Sequence, residues 1–334
     1  SPVTLTPAKP GDAPDVARLA AHLRDRPWPQ EDDPRDFIEA HRFRGGACGL
    51  FLIRDAHRCC IGMALQADGL KIRSPKGDAH LRSIGATGDP AAVGPVDVVL
   101  FMVKNIDVES AGAAIQPMLT PETMVVTCQN GITAWERLAA IIGRRHVVPG
   151  VARIPGAITA PGEISHHAPS DMLTFGEPDG GTSPRCQALH DALAEAGTTP
   201  VLHPAILHDL WTKFCGQSTL ASMTTLTGLN IGPIRDNPAS RDLFRAAVEE
   251  AFTVARAVLP DMPADTVDKV WDFTLNLPDH MHASMLDDLR NGKPLEHEYL
   301  GGDLVRIGAQ HGVPTPIHSV LYAALKPIAD PILP

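Results

Sequence analysis

One lysine stands out because large apolar residues flank it in the sequence. The stretch HDLWTKFCGQSTLASMTTLTG (208–228) repeats such residues at the spacing of one helix face. Lys213 lies between Trp211 and Phe214. Its ammonium would therefore be partly desolvated, and burial or neighbouring charges bring the pKa of a lysine within reach of proton transfer near neutrality. The alternative is that Lys213 extends along the edge of the apolar face to solvent. The spacing alone leaves both interpretations open.

Two further polar residues follow runs that have the character of buried strands. The run Val96–Val103 (VDVVLFMV) ends directly before Lys104, and the run Met124–Cys128 ends shortly before Asn130. Open parallel sheets bind ligands at the carboxyl ends of their strands. Lys104 and Asn130 are therefore candidate ligand-binding residues, although a solvated strand-end lysine and an ordinary Asn-Gly turn explain the same residues.

A partial glycine motif precedes these strands. Gly46 and Gly49 have the spacing of the last two glycines of a GxGxxG phosphate-binding loop, but Arg44 occupies the first position. The segment before it is a poor buried strand, and no acidic residue follows at the expected distance. A nucleotide loop and an ordinary glycine turn both remain open.

Composition excludes several classes of protein. The 334 residues carry a net charge of -10 without a basic stripe, which argues against a nucleic-acid partner. The sequence has no apolar run long enough for a membrane span and no signal-peptide pattern at its start. Six cysteines lack disulfide or zinc spacing, and the pair His166-His167 has no ligand-spaced partners. We therefore expect a cytoplasmic protein with reduced thiols and no metal site.

The elements that must position these residues fall into two parts. Strand and helix patterns alternate from about residue 69, and helices are expected over 108–119 and 134–142. This alternation predicts a right-handed parallel α/β sheet. Antiparallel strands are expected within 146–176, and no strand pattern follows residue 205. Helices are predicted there over 205–229, 237–259, 264–276, 283–290, 297–311 and 316–326. The predicted architecture is an α/β domain over 1–204, atypical in 1–68, followed by an all-helical domain over 205–334.

The chain resembles the ketopantoate reductases (2-dehydropantoate 2-reductases). The resemblance spans roughly residues 69–326, and it depends on the order and spacing of several short pieces. These pieces are FMVKNIDVES (101–110), CQNGITAWERL (128–138), PGEISHH (161–167), LWTKF (210–214), ASMLDDLRNGKPLEHEYLGG (283–302) and HGVPTPIHSVLYAALK (311–326). It implies a Rossmann-type NADPH domain followed by a helical domain that contributes to substrate binding. The large apolar content of the helical domain is compatible with dimerisation through it, so a homodimer is a possible assembly.

The resemblance also implies roles for single residues. Lys213 matches the lysine that gives a proton to the substrate carbonyl, and Asn130 matches an asparagine that contacts both substrate and nicotinamide. Ser284 matches a serine that binds the substrate carboxylate. Glu296 matches a glutamate near the cofactor ribose and the catalytic lysine. Two further residues match positions that bind the cofactor in the family. Lys104 matches the lysine that follows its strand, and Ala157 matches a residue whose backbone contacts the cofactor.

Two departures from the family pattern limit the assignment. Asparagines commonly follow the lysine by four and eight residues, but here these positions are Gln217 and Ala221. Gln217 is able to replace one amide, whereas Ala221 has no side-chain donor or acceptor, so the substrate need not be ketopantoate. The second departure is that Arg44–Gly69 is too short for a glycine loop, a helix and a second strand. We hypothesise a changed reading frame within residues 1–65, which translation of the gene in its other frames tests.

Three functions follow from these residues. The first is NADPH-dependent reduction of 2-dehydropantoate to pantoate, a step of pantothenate biosynthesis, with Lys213 as proton donor. The second is reduction of a different small 2-oxo acid. The third is a non-catalytic relic whose dinucleotide site is impaired.

Overall fold

The computed structural model describes residues 42–43, 46–47, 69–81, 89–160 and 162–329. Its described residues form two compact units. One unit contains the residues up to Gln129 together with Ala134–Ile206, and the other contains Asn130–Thr133 and the chain from Leu207 onward. Among the described helices, none combines the length and apolar character needed to cross a membrane.

The strands of the first unit are short and rich in β-branched residues. In chain order they are β1 (Arg42–Phe43), β2 (Gly46–Ala47), β3 (Leu70–Arg73), β4 (Ala79–Leu81), β5 (Val98–Phe101), β6 (Met124–Thr127), β7 (Val147–Arg153), β8 (Gly156–Ala160), β9 (Glu163–His166), β10 (Met172–Phe175) and β11 (Thr199–Leu202). Its helices are α1 (Val108–Ala114), α2 (Ala134–Ile142) and α3 (Pro184–Glu195).

The main sheet has five strands in the order β11-β10-β7-β6-β5. Strands β5, β6 and β7 are parallel, as the alternating pattern predicts. Every residue of β5 and β6 is buried, which is typical of parallel strands covered on both faces. Strand β10 runs antiparallel to β7, and β11 runs parallel to β10. The sheet is therefore parallel at the edge formed by β5 and β6, which is where Lys104 and Asn130 follow their strands.

A second sheet has the order β4-β3-β9-β8. Strand β9 pairs antiparallel with β8, as expected for this region, but parallel with β3. The expected antiparallel character of 146–176 is therefore only partly correct, because β7 and β9 each have one parallel neighbour. Local alternation of side chains does not distinguish the two directions, which depend on how distant segments pair.

The helices of the second unit follow one another without strands among its described residues. They are α4 (Ile206–Thr227), α5 (Ile231–Asp236), α6 (Pro238–Val258), α7 (Thr266–Leu275), α8 (Ser284–Arg290), α9 (Gly301–Gln310) and α10 (Pro316–Ala329). The predicted fold class, a Rossmann-type sheet followed by a helical region, is confirmed.

Two helix predictions need correction, and one helix was missed. The helix expected over 108–119 ends at Ala114, because Pro117 lacks an N–H and a 3-10 turn replaces the α-helix there. Helix α5 was not predicted, because Gly232 and Pro233 resemble a turn; proline is tolerated in the first turn of a helix, where its missing N–H has no partner. The helix expected over 297–311 is interrupted at Leu300, whose backbone (φ -111, ψ -91) is not helical.

Candidate active site

Lys213 lies in the longest helix of the second unit, α4. Leu210, Trp211 and Phe214 are buried on either side of it, and the Trp211 and Phe214 rings meet edge to face at 5.5 Å. Lys213 itself is half-buried. The apolar neighbours therefore restrict where the side chain extends, and its ammonium is directed to a specific polar partner.

That partner is Asn130. Lys213 Nζ donates a hydrogen bond to Asn130 Oδ1 at 2.8 Å, across 83 residues of sequence. Gly131 follows with φ 105, a backbone conformation that a residue with a Cβ rarely adopts. An acceptor oxygen stabilises the charged ammonium and fixes its direction. The structure thus joins two of the residues that the resemblance implied, and it does so within one compact unit.

The carboxyl ends of β5 and β6 are linked by the residue before Asn130. Gln129 is buried, and its Nε2 donates to the carbonyl oxygens of Phe101 at 2.6 Å and Val103 at 3.2 Å. Lys104 comes next in the chain and immediately precedes the 3-10 turn Asn105–Asp107. The amide of Gln129 therefore fixes the backbone from which Lys104 extends. Sequence reasoning missed Gln129, although its position beside Asn130 was a usable signal.

The remaining candidates of the second unit are in three environments. Gln217 is half-buried and lies one helical turn after Lys213, so the two side chains share a face of α4. Ala221 is fully buried, at 0% exposure, and so contributes no polar group there. Ser284 is exposed as the first residue of α8, and Glu296 is 4% exposed just before the 3-10 turn His297–Tyr299.

The candidates on the cofactor side are less fully placed. Ala157 is exposed in β8, opposite Ser165 of β9. Gly46 belongs to the two-residue strand β2, which pairs antiparallel with β1 and places Gly46 opposite Phe43. Gly49 lies outside the described residues. The roles of these three residues therefore stay predictions.

A hydrogen bond that the sequence did not suggest supports the loop carrying Asn130. Thr133 Oγ1 donates to Asp303 Oδ2 at 2.7 Å, and Arg306 donates from its Nη2 to the other oxygen, Asp303 Oδ1, at 2.5 Å. The two ends of the Thr133–Asp303 bond are 170 residues apart. No local pattern marks such a pair, so only the folded chain reveals it.

Two other ionisable groups of the unit, Cys215 and Glu298, have strongly shifted pKa values. Burial raises the pKa of the Cys215 thiol, two residues after Lys213, to about 12, so no thiolate forms near neutrality. Burial also acts to raise the pKa of Glu298, but hydrogen bonds from Lys326 and Tyr322 outweigh it and lower the pKa to about 2. Within the described ranges, no three His, Cys, Asp or Glu side chains are grouped to hold a metal.

The described residues fit a dinucleotide on one side of the expected site. Lys104 supplies a cation at the carboxyl end of β5, at the edge where parallel sheets bind nucleotides. Gln129 Oε1 is buried there, and no hydrogen-bond donor reaches it among the described residues. A site with a cation and a buried amide oxygen suits a phosphate together with a hydrogen-bond donor.

Comparison with known proteins assigns the family. The family model "Ketopantoate reductase PanE/ApbA" matches residues 49–180, and "Ketopantoate reductase PanE/ApbA C terminal" matches residues 205–329. A Bacillus subtilis (strain 168) protein named "Uncharacterized oxidoreductase YkpB" is 29% identical over 268 residues, which cover 78% of this chain and 86% of the relative. A 2-dehydropantoate 2-reductase of Aquifex aeolicus is 28% identical, over 69% of this chain and 76% of its own length.

Solved structures agree with this assignment. A PanE/ApbA family ketopantoate reductase from Ralstonia eutropha superimposes with a TM-score of 0.76 at 27% identity, covering 86% of this chain and 92% of that chain. A D-mandelate dehydrogenase solved with NADH and anilino(oxo)acetate shares the fold alone, with a TM-score of 0.73 at 19% identity and coverage of 81% and 88%. The chain belongs to the ketopantoate reductase family, whose members are dinucleotide-binding oxidoreductases.

Proposed function

We propose that the protein is an NADPH-dependent reductase of a 2-oxo acid, with 2-dehydropantoate as the default substrate and Lys213 as the proton donor. The observation that carries this proposal is the hydrogen bond from Lys213 Nζ to Asn130 Oδ1 at 2.8 Å. It holds an ammonium in a defined direction on a half-buried helix face. A proton donor needs such fixed placement, because it must meet the reacting oxygen at hydrogen-bond distance.

The chemistry required of the chain is limited and specific. When bound, the reduced nicotinamide supplies the hydride, and Lys104 with the backbone of Ala157 would help to hold that cofactor, together with Gly46 and Gly49. Hydride addition to the carbonyl carbon breaks the C=O π bond and leaves the electron pair on oxygen. Lys213 gives its proton to that oxygen, which yields the 2-hydroxy acid.

The other candidates orient the substrate or support the lysine. Ser284, exposed at the start of α8, would donate a hydrogen bond to the substrate carboxylate. Glu296, which is buried, would favour the charged form of Lys213. Gln217 shares the lysine's face of α4 and would contact the substrate beyond its carbonyl group.

A second candidate substrate class follows from Ala221. This residue stands where the family commonly has an asparagine, and it is fully buried without a polar group. A substrate whose hydroxyl requires that amide would lose a hydrogen bond of about 1 kcal/mol. A small 2-oxo acid without that hydroxyl would lose nothing, so the substrate panel must include both kinds.

The test combines cofactor binding with turnover. NADPH and NADH are titrated by fluorescence, and oxidation of each is then followed with 2-dehydropantoate and a panel of 2-oxo acids. Lys213→Ala should lower kcat by about 10²- to 10⁴-fold, which is the usual contribution of a general acid, while the cofactor affinity stays nearly unchanged. The matched control is Lys269→Ala, because Lys269 is 63% exposed in the same unit and pairs with Asp265, which is 59% exposed.

Two results would contradict the proposal. Absence of cofactor binding at millimolar concentration would exclude both reductase functions and leave the non-catalytic relic. Equal turnover of Lys213→Ala and Lys269→Ala would remove Lys213 from the chemistry.

We also propose that the protein forms a homodimer, since a ketopantoate reductase of the same fold from Staphylococcus aureus is described as dimeric. Sedimentation equilibrium tests this, and a monomer at micromolar concentration would contradict it.

A further inference from the structure

The loop that carries Asn130 is fastened at its far end. It runs from Asn130 to Thr133 between β6 and α2, and all four of its residues belong to the helical unit. Thr133 Oγ1 donates to Asp303 Oδ2 at 2.7 Å, in the first turn of α9. Ile132, between the two ends, is 5% exposed. The loop thus has an anchor three residues after the side chain that receives the hydrogen bond of Lys213.

Asp303 is suited to act as a rigid anchor. Its side chain is 6% exposed, and each carboxylate oxygen has its own partner. Thr133 donates to Oδ2, and Arg306, one turn along α9, donates to Oδ1 at 2.5 Å. A buried carboxylate is stable only when it is paired and hydrogen-bonded, so this geometry fixes the direction of both oxygens.

The arrangement does more than stabilise α9. The Asp303–Arg306 ion pair would form within that helix without Thr133, because the two residues are three apart. The second oxygen instead binds a loop 170 residues away. The loop needs such a contact because Gly131, which adopts φ 105, follows Asn130 directly. A glycine restricts the backbone conformation less than a residue with a side chain does.

We propose that Asp303, acting through Thr133, is a positioning residue that holds Asn130 in place to receive the hydrogen bond of Lys213. This inference rests on the proposed function of Lys213 as proton donor. Without the Thr133 hydroxyl, the loop keeps its packing but loses its directional contact. The Asn130 oxygen then moves away from Lys213 for part of the time, and the ammonium loses its orientation.

The first test is a double-mutant cycle on turnover. Thr133→Val removes the hydroxyl and keeps the shape, Thr133→Ser keeps the hydroxyl, and Thr133→Ala serves as a second variant without it. Thr253→Val is the matched control, because the Thr253 hydroxyl donates to Glu249 O of its own helix. We expect Thr133→Val to lower kcat about fivefold with little change in KM, and Thr133→Ser to restore it.

The cycle with Asn130→Ala separates positioning from general damage to the fold. A residue that acts only through Asn130 adds nothing once Asn130 is removed, so the double variant should match Asn130→Ala alone. An independent structural effect would instead multiply the two losses. Independent losses would overturn the proposal.

The second test needs no turnover. The rate of reductive methylation of Lys213 Nζ by formaldehyde and a borane reductant is measured by mass spectrometry on the protein without ligands. A lost hydrogen bond exposes the amine, so Thr133→Val and Asn130→Ala should each raise this rate about fivefold, and the double variant no further. A Thr133→Val rate equal to that of Thr253→Val would overturn the proposal.

The outcomes distinguish this inference from the proposed function. If Lys213→Ala and Asn130→Ala leave turnover unchanged, the proposed chemistry fails, and the methylation rates still decide whether Thr133 holds Asn130. If both variants lower turnover while Thr133→Val behaves as Thr253→Val, the positioning role alone is wrong.

Discussion

Replacing Glu250 should destabilise the helical unit far more than replacing its neighbour in sequence. The Glu250 carboxylate accepts three hydrogen bonds: from the backbone N–H groups of Ile317 at 2.9 Å and His318 at 2.8 Å, and from His318 Nδ1 at 2.8 Å. The two backbone donors belong to the first turn of α10. The side chains of Glu250 and His318 are 8% and 0% exposed. Glu250 therefore caps α10 and pairs with its buried histidine.

The expected loss follows from these contacts. Glu250→Ala leaves an imidazole nitrogen in the interior and two first-turn N–H groups without their acceptor. Each unmet buried group costs about 1 to 3 kcal/mol, and three such groups lose their acceptor here. We expect the free energy of unfolding to fall by about 3 to 5 kcal/mol. The loss should reach the lysine helix as well, because His318 Nε2 lies 3.4 Å from Thr219 Oγ1 of α4.

Glu249→Ala is the matched control. Glu249 precedes Glu250 on α6, but its side chain is 53% exposed and pairs at 3.1 Å with Arg245, which is 39% exposed. An exposed pair of this kind contributes less than about 1 kcal/mol. Urea unfolding of both variants is followed by circular dichroism, and hydrogen exchange at the amides of Ile317 and His318 locates the change. Variants of equal stability would refute the capping argument, as would unchanged exchange at those two amides.

Two further predictions concern pH and substrate affinity. The folded-state pKa of Glu298 is about 2, below its ordinary value of 4.5, so its contribution to stability is complete above pH 4.5 and is lost as the pH falls toward 2. Urea midpoints measured across that range should therefore fall less steeply for Glu298→Gln than for the unchanged protein, and parallel curves would contradict the assignment. Ser284→Ala should raise KM for the 2-oxo acid about 10- to 100-fold, the loss expected for one hydrogen bond to a carboxylate, with kcat less affected. An unchanged KM in steady-state assays would remove Ser284 from the substrate site.

Several features of this protein were determined by local sequence. The buried strands β5 and β6 were predictable because their continuous apolar residues require cover on both faces. Helix α2 was predicted over Ala134–Ile142 with the bounds that the structure has. Lys213 was conspicuous because a charged residue interrupts the apolar face of a helix. Such features depend on spacing along a few turns or a few strand residues, which the sequence displays directly.

The contacts that turn these residues into a candidate site depended on tertiary structure. The bond between Lys213 and Asn130 spans 83 residues, and the bond between Thr133 and Asp303 spans 170. The resemblance named Lys213 and Asn130 singly but not the bond between them, and no spacing specifies the bond between Thr133 and Asp303. Each bond exists because separate elements pack so that a donor and an acceptor meet within 3 Å. Local sequence sets which groups are available, and only the packing of the whole helical unit decides which of them touch.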